Sequence, residues 1–221
     1  AVISSIVPDA IGHLISCSLI TLPGVVYIAH LLVPDRSHVT SGDGAIDQGA
    51  ENLMDAISTG TTNGLQLLLN IIAMIIVIVA LVYLVNATLG VFPDIYGEAI
   101  TLERILGVLM APLTMMMGIP WNEAFITGQL MGTKVVLTEF VAYVRFGQLP
   151  VEELTERTRI IMTYALCGFA NFVSLGIMIT GLVTMVPERK AEIMGMGLKS
   201  ILAGTIATCT TATLVGIIIT F

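Results

Sequence analysis

The feature that most constrains this chain is a long run without any charged residue, from Gly64 to Phe92. Its centre, residues 67–76, reads LLLNIIAMII and holds a single polar side chain, that of Asn70. A helix needs about 20 apolar residues to cross a hydrocarbon core of about 30 Å. Because the run exceeds that minimum, we expect a helix that spans a membrane with a marked tilt.

Composition supports a membrane-embedded fold and excludes several classes of protein. Hydrophobic residues make up 56% of the 221 residues and charged residues only 11%, against about 25% charged in soluble domains. The net charge of −7, with nine scattered basic residues, argues against a nucleic-acid partner. The three cysteines form no CxxC or Cys/His cluster, so neither disulfides nor a metal site is predicted. No enzyme motif is present either, and we predict that the chain is not an enzyme.

Other apolar segments, separated by polar connections, predict an all-α polytopic membrane protein. An acidic connection begins at residue 35, and its end, from Glu51 onward, is predicted to form an amphipathic helix. The segment 101–118 is short and one-sided, which favours a helix at the membrane interface. Further apolar segments occur at residues 10–33, 121–143, 160–186 and 194–221.

The segment 121–143 is apolar in balance but is interrupted by charge. Glu123, Lys134 and Glu139 lie within it, and glycines occur near its middle. We expect the helix to break at residues 132–134 (GTK), so that two short helices meet at that tip as a re-entrant hairpin. Non-helical backbone at membrane depth is tolerated only where it is buried in protein or lines a wet cavity.

Glu139 is the first candidate functional residue. A charged side chain at mid-membrane costs about 2.5–3.5 kcal/mol on insertion scales, so it usually has a function or a partner. The alternatives are a structural ion pair, with Lys134 or with an arginine elsewhere, and a position shallow enough to reach water. The break predicted beside Glu139 favours a role in a cavity.

A second polar group interrupts the apolar segment 160–186. Asn171 and Ser174 are three residues apart and share one face of a helix, and Phe169 lies close by. Taken alone, this pattern fits an interhelical hydrogen bond equally well. In combination with Glu139, the amide, the hydroxyl and the aromatic ring are what a sugar and a flat base would need, because carboxylates and amides hydrogen-bond hydroxyl groups.

Two long motifs resemble those of the concentrative nucleoside transporters. Residues 132–143, GTKVVLTEFVAY, are similar to the second hairpin of that family, and residues 164–174, YALCGFANFVS, are similar to its broken seventh helix. Shorter matches are GHL, LPG, AP and GIPW, at residues 12–14, 22–24, 111–112 and 118–121.

The resemblance implies a fold of two inverted repeats, assembled as a homotrimer with the scaffold helices at its centre. On that map, residues 1–34 are the tail of the first repeat, 35–63 a polar connection with an amphipathic helix, and 64–221 the second repeat. The second repeat then holds a scaffold span, an interfacial helix, a re-entrant hairpin, a broken helix and a last span, at residues 64–92, 101–118, 121–143, 157–186 and 188–221. The chain opens inside an apolar run and lacks the family's base-reading Gly-Gln-Thr-Glu hairpin, so we expect it to be the C-terminal part of a transporter.

The resemblance also implies a function and a set of binding residues. Glu139, Asn171 and Ser174 would bind the ribose hydroxyls of a nucleoside, and Phe169 would line the pocket. A sodium or proton gradient would drive import across the plasma membrane, the inner membrane of a bacterium, by alternating access. The site of the coupling cation would lie mostly outside this chain, and no other cofactor is expected.

Two departures from the family pattern fall on the ribose side of that site. Thr138 stands where the family usually has Asn, and Val173 stands where it commonly has Ser. The choice among nucleosides therefore stays open. An uncoupled channel or facilitator for a small polar solute is the alternative to a symporter.

Overall fold

Helices form the regular structure in the part of the chain that the computed structural model describes, residues 9–34, 52–94, 97 and 99–219. Within these residues the α-helices, in chain order, are α1 (Ala10–Leu32), α2 (Leu53–Leu89), α3 (Leu102–Met116), α4 (Trp121–Val136), α5 (Glu139–Gln148), α6 (Glu156–Leu166), α7 (Phe172–Met185) and α8 (Lys190–Ile218). Short 3-10 turns, Val151–Glu153 and Pro187–Arg189, precede α6 and α8. The predicted tail at residues 1–8 and most of the acidic connection, residues 35–51, lie outside the described residues.

Three of the described helices are long and apolar enough to cross a membrane. They are α1, α2, and α8 together with the turn before it; α7 is a shorter apolar helix. No described residue of α2 is buried, and most of its apolar side chains are exposed, with one half-buried side turned towards α3 and α7. Such a surface is stable against lipid tails or another apolar helix but not against water. The prediction of an all-α, polytopic membrane protein is therefore confirmed.

The start of the long span differs from its predicted boundary at residue 64. The helix α2 already begins at Leu53, where the Asn52 side chain caps it by accepting a hydrogen bond from the Asp55 N–H at 2.9 Å. In its polar first turns Thr61 and Thr62 satisfy their hydroxyls by donating to carbonyls one turn earlier, at 2.7 and 3.0 Å. At 1.5 Å per residue the 37 residues extend about 55 Å, so part of α2 projects beyond the hydrocarbon core.

The predicted hairpin tip at residues 132–134 is wrong. The helix α4 runs through these residues without a break and ends at Val136, and the chain leaves the helix at Leu137. Gly132 is required for packing instead, since a Cβ there would lie 2.8 Å from the Leu106 Cβ of α3. Gly128, one turn earlier, would place a Cβ against the backbone oxygen of Gly107. Small residues spaced by four let helix backbones approach closely, and here they join α4 to α3.

A polar network attaches α3 to both the long span and the hairpin. Asn86 of α2 donates its Nδ2 to Glu103 Oε2 at 3.0 Å and accepts the Leu102 N–H at 2.8 Å. Arg145 of α5 donates to Glu103 Oε1 at 3.1 Å and to Thr133 of α4 at 3.1 Å. Burial by itself would raise the pKa of the Glu103 carboxyl. Hydrogen bonds from its own backbone, Asn86 and Arg145 together lower it by more, so the pKa lies below its ordinary value. Glu103 is therefore a charged anchor at the start of α3.

The hydrophobic core lies where the hairpin helices meet α6 and α8. Fully buried side chains at its centre are Met131, Phe146, Ile161, Met162 and Leu166. The chain then leaves helical geometry after Leu166 and resumes it at Phe172, so the predicted broken helix is interrupted between α6 and α7. Gly168 lies in this break. The position needs a glycine, because a Cβ there would collide with the Thr208 methyl of α8.

Candidate functional site

The residue that ends the break between α6 and α7 is Asn171. Its backbone is extended, and its side-chain Oδ1 accepts the N–H of Ser174 at 2.7 Å, which makes it the N-cap of α7. Asparagine is among the preferred N-caps because its oxygen satisfies an amide that has no partner inside the helix. Asn171 is 0% exposed, so this cap fixes the amide plane inside the protein.

Glu139 stands at the corresponding place on the hairpin, as the first residue of α5. Thr138 caps that helix by accepting the Val141 N–H at 3.3 Å. A carboxylate in the first helical turn is stabilised by the positive end of the helix dipole. Asn171 Nδ2 donates to Glu139 Oε2 at 2.8 Å, so the N-termini of α5 and α7 are joined by one hydrogen bond between the two predicted residues.

The ion-pair alternative for Glu139 is not the arrangement that the described residues adopt. Lys134 donates its ammonium to the Ala165 carbonyl oxygen at 2.7 Å and to Thr208 Oγ1 at 3.1 Å. Arg145 pairs with Glu103 at 3.1 Å. The hydrogen-bond partner of Glu139 is instead a neutral amide, and its half-buried carboxylate keeps further acceptor positions for a ligand.

A cavity of about 350 Å³ lies beside this pair, bounded by α1, the break, α7 and α8. Its polar lining comes from Thr21, Asn171, Ser174, Ser200 and Thr208. Phe169, which is 72% exposed, forms part of the wall. Of the four predicted residues, all within the described part of the chain, three line the cavity, whereas Glu139 is linked to it by the hydrogen bond to Asn171.

The contribution of α8 to this site was not predicted. Thr208 lines the cavity, and Thr211 meets Thr21 of α1 at 2.9 Å between their hydroxyls. The signal was present, because Thr205, Thr208 and Thr211 are spaced by three and thus share one helical face. All three are buried, with exposures of 7%, 3% and 3%.

No group of three or more His, Cys, Asp or Glu residues that could hold a metal occurs among the described residues. The site is instead built from hydroxyls, one amide, one carboxylate and one aromatic ring. Two half-helix N-termini that meet at a polar centre between apolar spans define a class of protein, the membrane transporter with broken helices.

The chain belongs to the Na⁺-dependent nucleoside transporter family, since residues 13–216 match the family described as "Na+ dependent nucleoside transporter C-terminus". It is 38% identical to the uncharacterized transporter YutK of Bacillus subtilis, over 95% of this chain and 53% of that protein. It is 37% identical to the nucleoside permease NupC of Helicobacter pylori, over 94% of this chain and 51% of that protein. Human solute carrier family 28 member 3 is 32% identical over 99% of this chain and 34% of its own length.

Solved structures of the transporter CNTnw share the fold. In an inward-facing substrate-bound state CNTnw superposes with a TM-score of 0.75 at 34% identity, over 92% of this chain and 49% of that one. A CNTnw variant in an intermediate state gives a TM-score of 0.81, over 93% of this chain and 51% of that one. The resemblance predicted from the hairpin and broken-helix motifs is thus confirmed, and the family is one of transporters rather than enzymes. The chain spans about half the length of these bacterial relatives and of CNTnw.

Proposed function

We propose that this chain forms the C-terminal half of an ion-coupled symporter that imports nucleosides by alternating access. The observation that carries the proposal is the Glu139–Asn171 hydrogen bond, which joins two half-helix N-termini next to the 350 Å³ cavity. In transporters with broken helices the substrate binds where such half-helices meet, near the membrane midplane. Relatives named as nucleoside permeases, and a relative solved in a substrate-bound state, support a nucleoside as that substrate.

The chemistry of the pair suits the hydroxyls of a ribose. The Glu139 carboxylate accepts one hydrogen bond from Asn171 and has lone pairs left to accept hydroxyl donors. The Asn171 amide has two N–H donors and Glu139 uses one of them; because Asn171 is fully buried in this conformation, the other donates to a hydroxyl oxygen only when the residues around it shift. Ser174 adds a hydroxyl to the same wall, and Phe169 offers a ring for the flat face of the ligand.

The coupling cation, sodium or a proton, is a co-substrate of the whole transporter. Its site is proposed to lie mostly in the half of the family fold that this chain does not span. The proposed assembly is a homotrimer in the bacterial inner membrane, in which α2, with no described residue buried within its own chain, supplies the contact surface at the centre.

The first prediction tests the role of Glu139 in ribose binding. Glu139→Gln in the full-length transporter keeps the size of the side chain but removes its charge. Because hydrogen bonds to a charged group contribute about 1.5–3 kcal/mol, we expect uridine uptake at low concentration to fall by about tenfold or more. Radiolabelled uptake into proteoliposomes, under a sodium gradient and separately under a proton gradient, measures both the loss and the coupling ion.

A deoxy substrate locates the lost interaction. For 2′,3′-dideoxyuridine, which lacks the 2′- and 3′-hydroxyls and keeps only the 5′-hydroxyl, we expect Glu139→Gln to change uptake far less than it does for uridine. The exposed Glu152→Gln is the matched control and should leave both substrates unaffected. Equal losses for uridine and its dideoxy analogue would contradict the ribose role, and a flux that never saturates would point to a channel instead of a symporter.

A further inference from the structure

Lys134 is a buried charged residue that belongs neither to the Glu139–Asn171 pair nor to the lining of the cavity. Its side chain is 0% exposed, although it lies in the membrane-embedded hairpin. Charged groups at such depth are expensive and usually mark an ion or substrate pathway. The ammonium is held by two oxygen atoms on two other elements, the Ala165 carbonyl of α6 at 2.7 Å and the Thr208 hydroxyl of α8 at 3.1 Å.

The first of these partners lies at the C-terminal end of a half-helix. Ala165 is in the last turn of α6, which ends at Leu166. Carbonyls in a last turn have no amide of a following turn to bind, and a helix C-terminus carries about half a negative charge. In transporters with broken helices, such half-helix ends and unwound carbonyls coordinate the coupling cation. The break after α6 therefore has the electrostatics of a cation site.

The second partner is oriented towards the ammonium and also faces the cavity. The Thr208 hydroxyl lies 3.1 Å from both the Gly204 and the Thr205 carbonyl oxygens, and its proton is directed to them. Its oxygen is thereby left to accept from Lys134. Thr208 and Gly168 both line the 350 Å³ cavity, so the ammonium is one residue away from the proposed nucleoside site.

We propose that the Lys134 ammonium is a tethered cation, occupying at the α6 break the place that a mobile coupling ion would otherwise fill. The proposal rests on the transport function proposed above and makes Lys134 a positioning residue. It holds α6 against α4 and α8 in the geometry that places Asn171 beside Glu139. A consequence is that this half of the transporter takes up no coupling ion at this break. The number of coupling ions per nucleoside is then set by sites elsewhere in the full-length transporter.

Removing the side chain should turn a tethered cation into a replaceable one. In the full-length transporter, Lys134→Ala deletes the ammonium and its stem and leaves the Ala165 and Thr208 oxygens facing a vacant space. We expect nucleoside uptake to fall by about tenfold, since two hydrogen bonds to a charge are lost. Methylammonium, a small cation with three N–H donors, should restore a large part of that uptake. The uptake of Lys134→Ala should also rise more steeply with sodium concentration than that of the wild type, because sodium can enter the same space.

Two controls separate a site from general effects of lysine removal. Lys199→Ala deletes an exposed lysine of α8 and should show neither the loss nor the rescue. Lys134→Met keeps an apolar stem of similar length without the charge, so it should lose uptake and, with the space filled, should not respond to methylammonium. Wild-type uptake by Lys134→Met, or a loss in Lys134→Ala with no rescue and an unchanged sodium dependence, would overturn the proposal.

A second measurement does not depend on transport. Thermal unfolding of the purified full-length variants should show that methylammonium raises the Tm of Lys134→Ala but not that of the wild type or Lys134→Met. If the wild type fails to take up nucleosides, the proposed function fails, while the Tm shift still decides the cation site. If both neutral variants fail to fold even in cells grown with methylammonium, Lys134 is a packing element and the proposal is wrong.

Discussion

At the scale of single residues, Asn171 combines two roles that one side chain rarely has. Its oxygen caps α7 through the Ser174 N–H, and its nitrogen donates to Glu139. The two bonds fix both ends of the amide, so the carboxylate of Glu139 is held in one orientation. Stability and the proposed ligand binding therefore depend on different atoms of the same residue.

A pair of substitutions separates these roles. Asn171→Ser keeps a good N-cap but removes the donor to Glu139, whereas Asn171→Ala removes both. We expect Asn171→Ala to be less stable than Asn171→Ser by about 1 kcal/mol, the usual value of an N-cap. Nucleoside uptake should be lost to a similar extent in both. Thermal unfolding and uptake of the two variants measure this, and full uptake by Asn171→Ser would show that the Glu139 contact is dispensable.

At the scale of elements, the contact between α3 and α4 depends on glycines that the sequence alone made ambiguous. Glycine lowers helix propensity, which is why residues 132–134 were predicted to break the helix. The same absence of a Cβ lets two helices approach until their backbones touch, as at Gly128 and Gly107. The neighbouring helix decides which property matters, and here it is packing.

Adding a methyl group at two helical glycines tests that conclusion. Gly128→Ala would place its Cβ against the backbone oxygen of Gly107, which cannot move aside as a flexible side chain would. We expect a loss of about 1–3 kcal/mol, the usual cost of overpacking. Gly181→Ala in α7 meets no atom within 4 Å and should be neutral or stabilising. Tm values of both variants in the same detergent make the comparison, and equal values would refute the packing role.

At the scale of the whole molecule, the chain supplies one side of the proposed binding site. Its carboxylate, amide and hydroxyl groups lie on the hairpin and the broken helix, while Phe169 is largely exposed at the edge of the cavity. The chain also spans only about half the length of its bacterial relatives. Both observations support a site that a second half-domain completes.

The present chain expressed alone should therefore insert into membranes without transporting. We expect the 221-residue chain to be recovered from the membrane fraction yet to show uridine uptake at the background of untransformed cells. The full-length transporter expressed at the same level provides the reference. Saturable uptake by the chain alone would mean that it holds a complete site, and would contradict the proposal that a second half-domain completes it.

Much of the fold and part of the site were predictable because their causes are local. Long apolar runs identified the spans, and the cost of burying polar groups pointed to Glu139 and Asn171. The helix break near Asn171 was also predictable, since an N-cap residue and glycine stand together there. The role of these residues in nucleoside binding stays a prediction, supported by their placement.

What the sequence determined by itself is the membrane class, the approximate spans and the polar residues that need an explanation. Only the tertiary structure decided which partners they have: Glu139 meets Asn171, 32 residues away, and Lys134 meets Thr208, 74 residues away. It also decided that Gly132 packs rather than breaks a helix. The physical reason is that apolarity is a property of a local segment, whereas a hydrogen bond or a close helix contact depends on what another part of the chain brings to the same point.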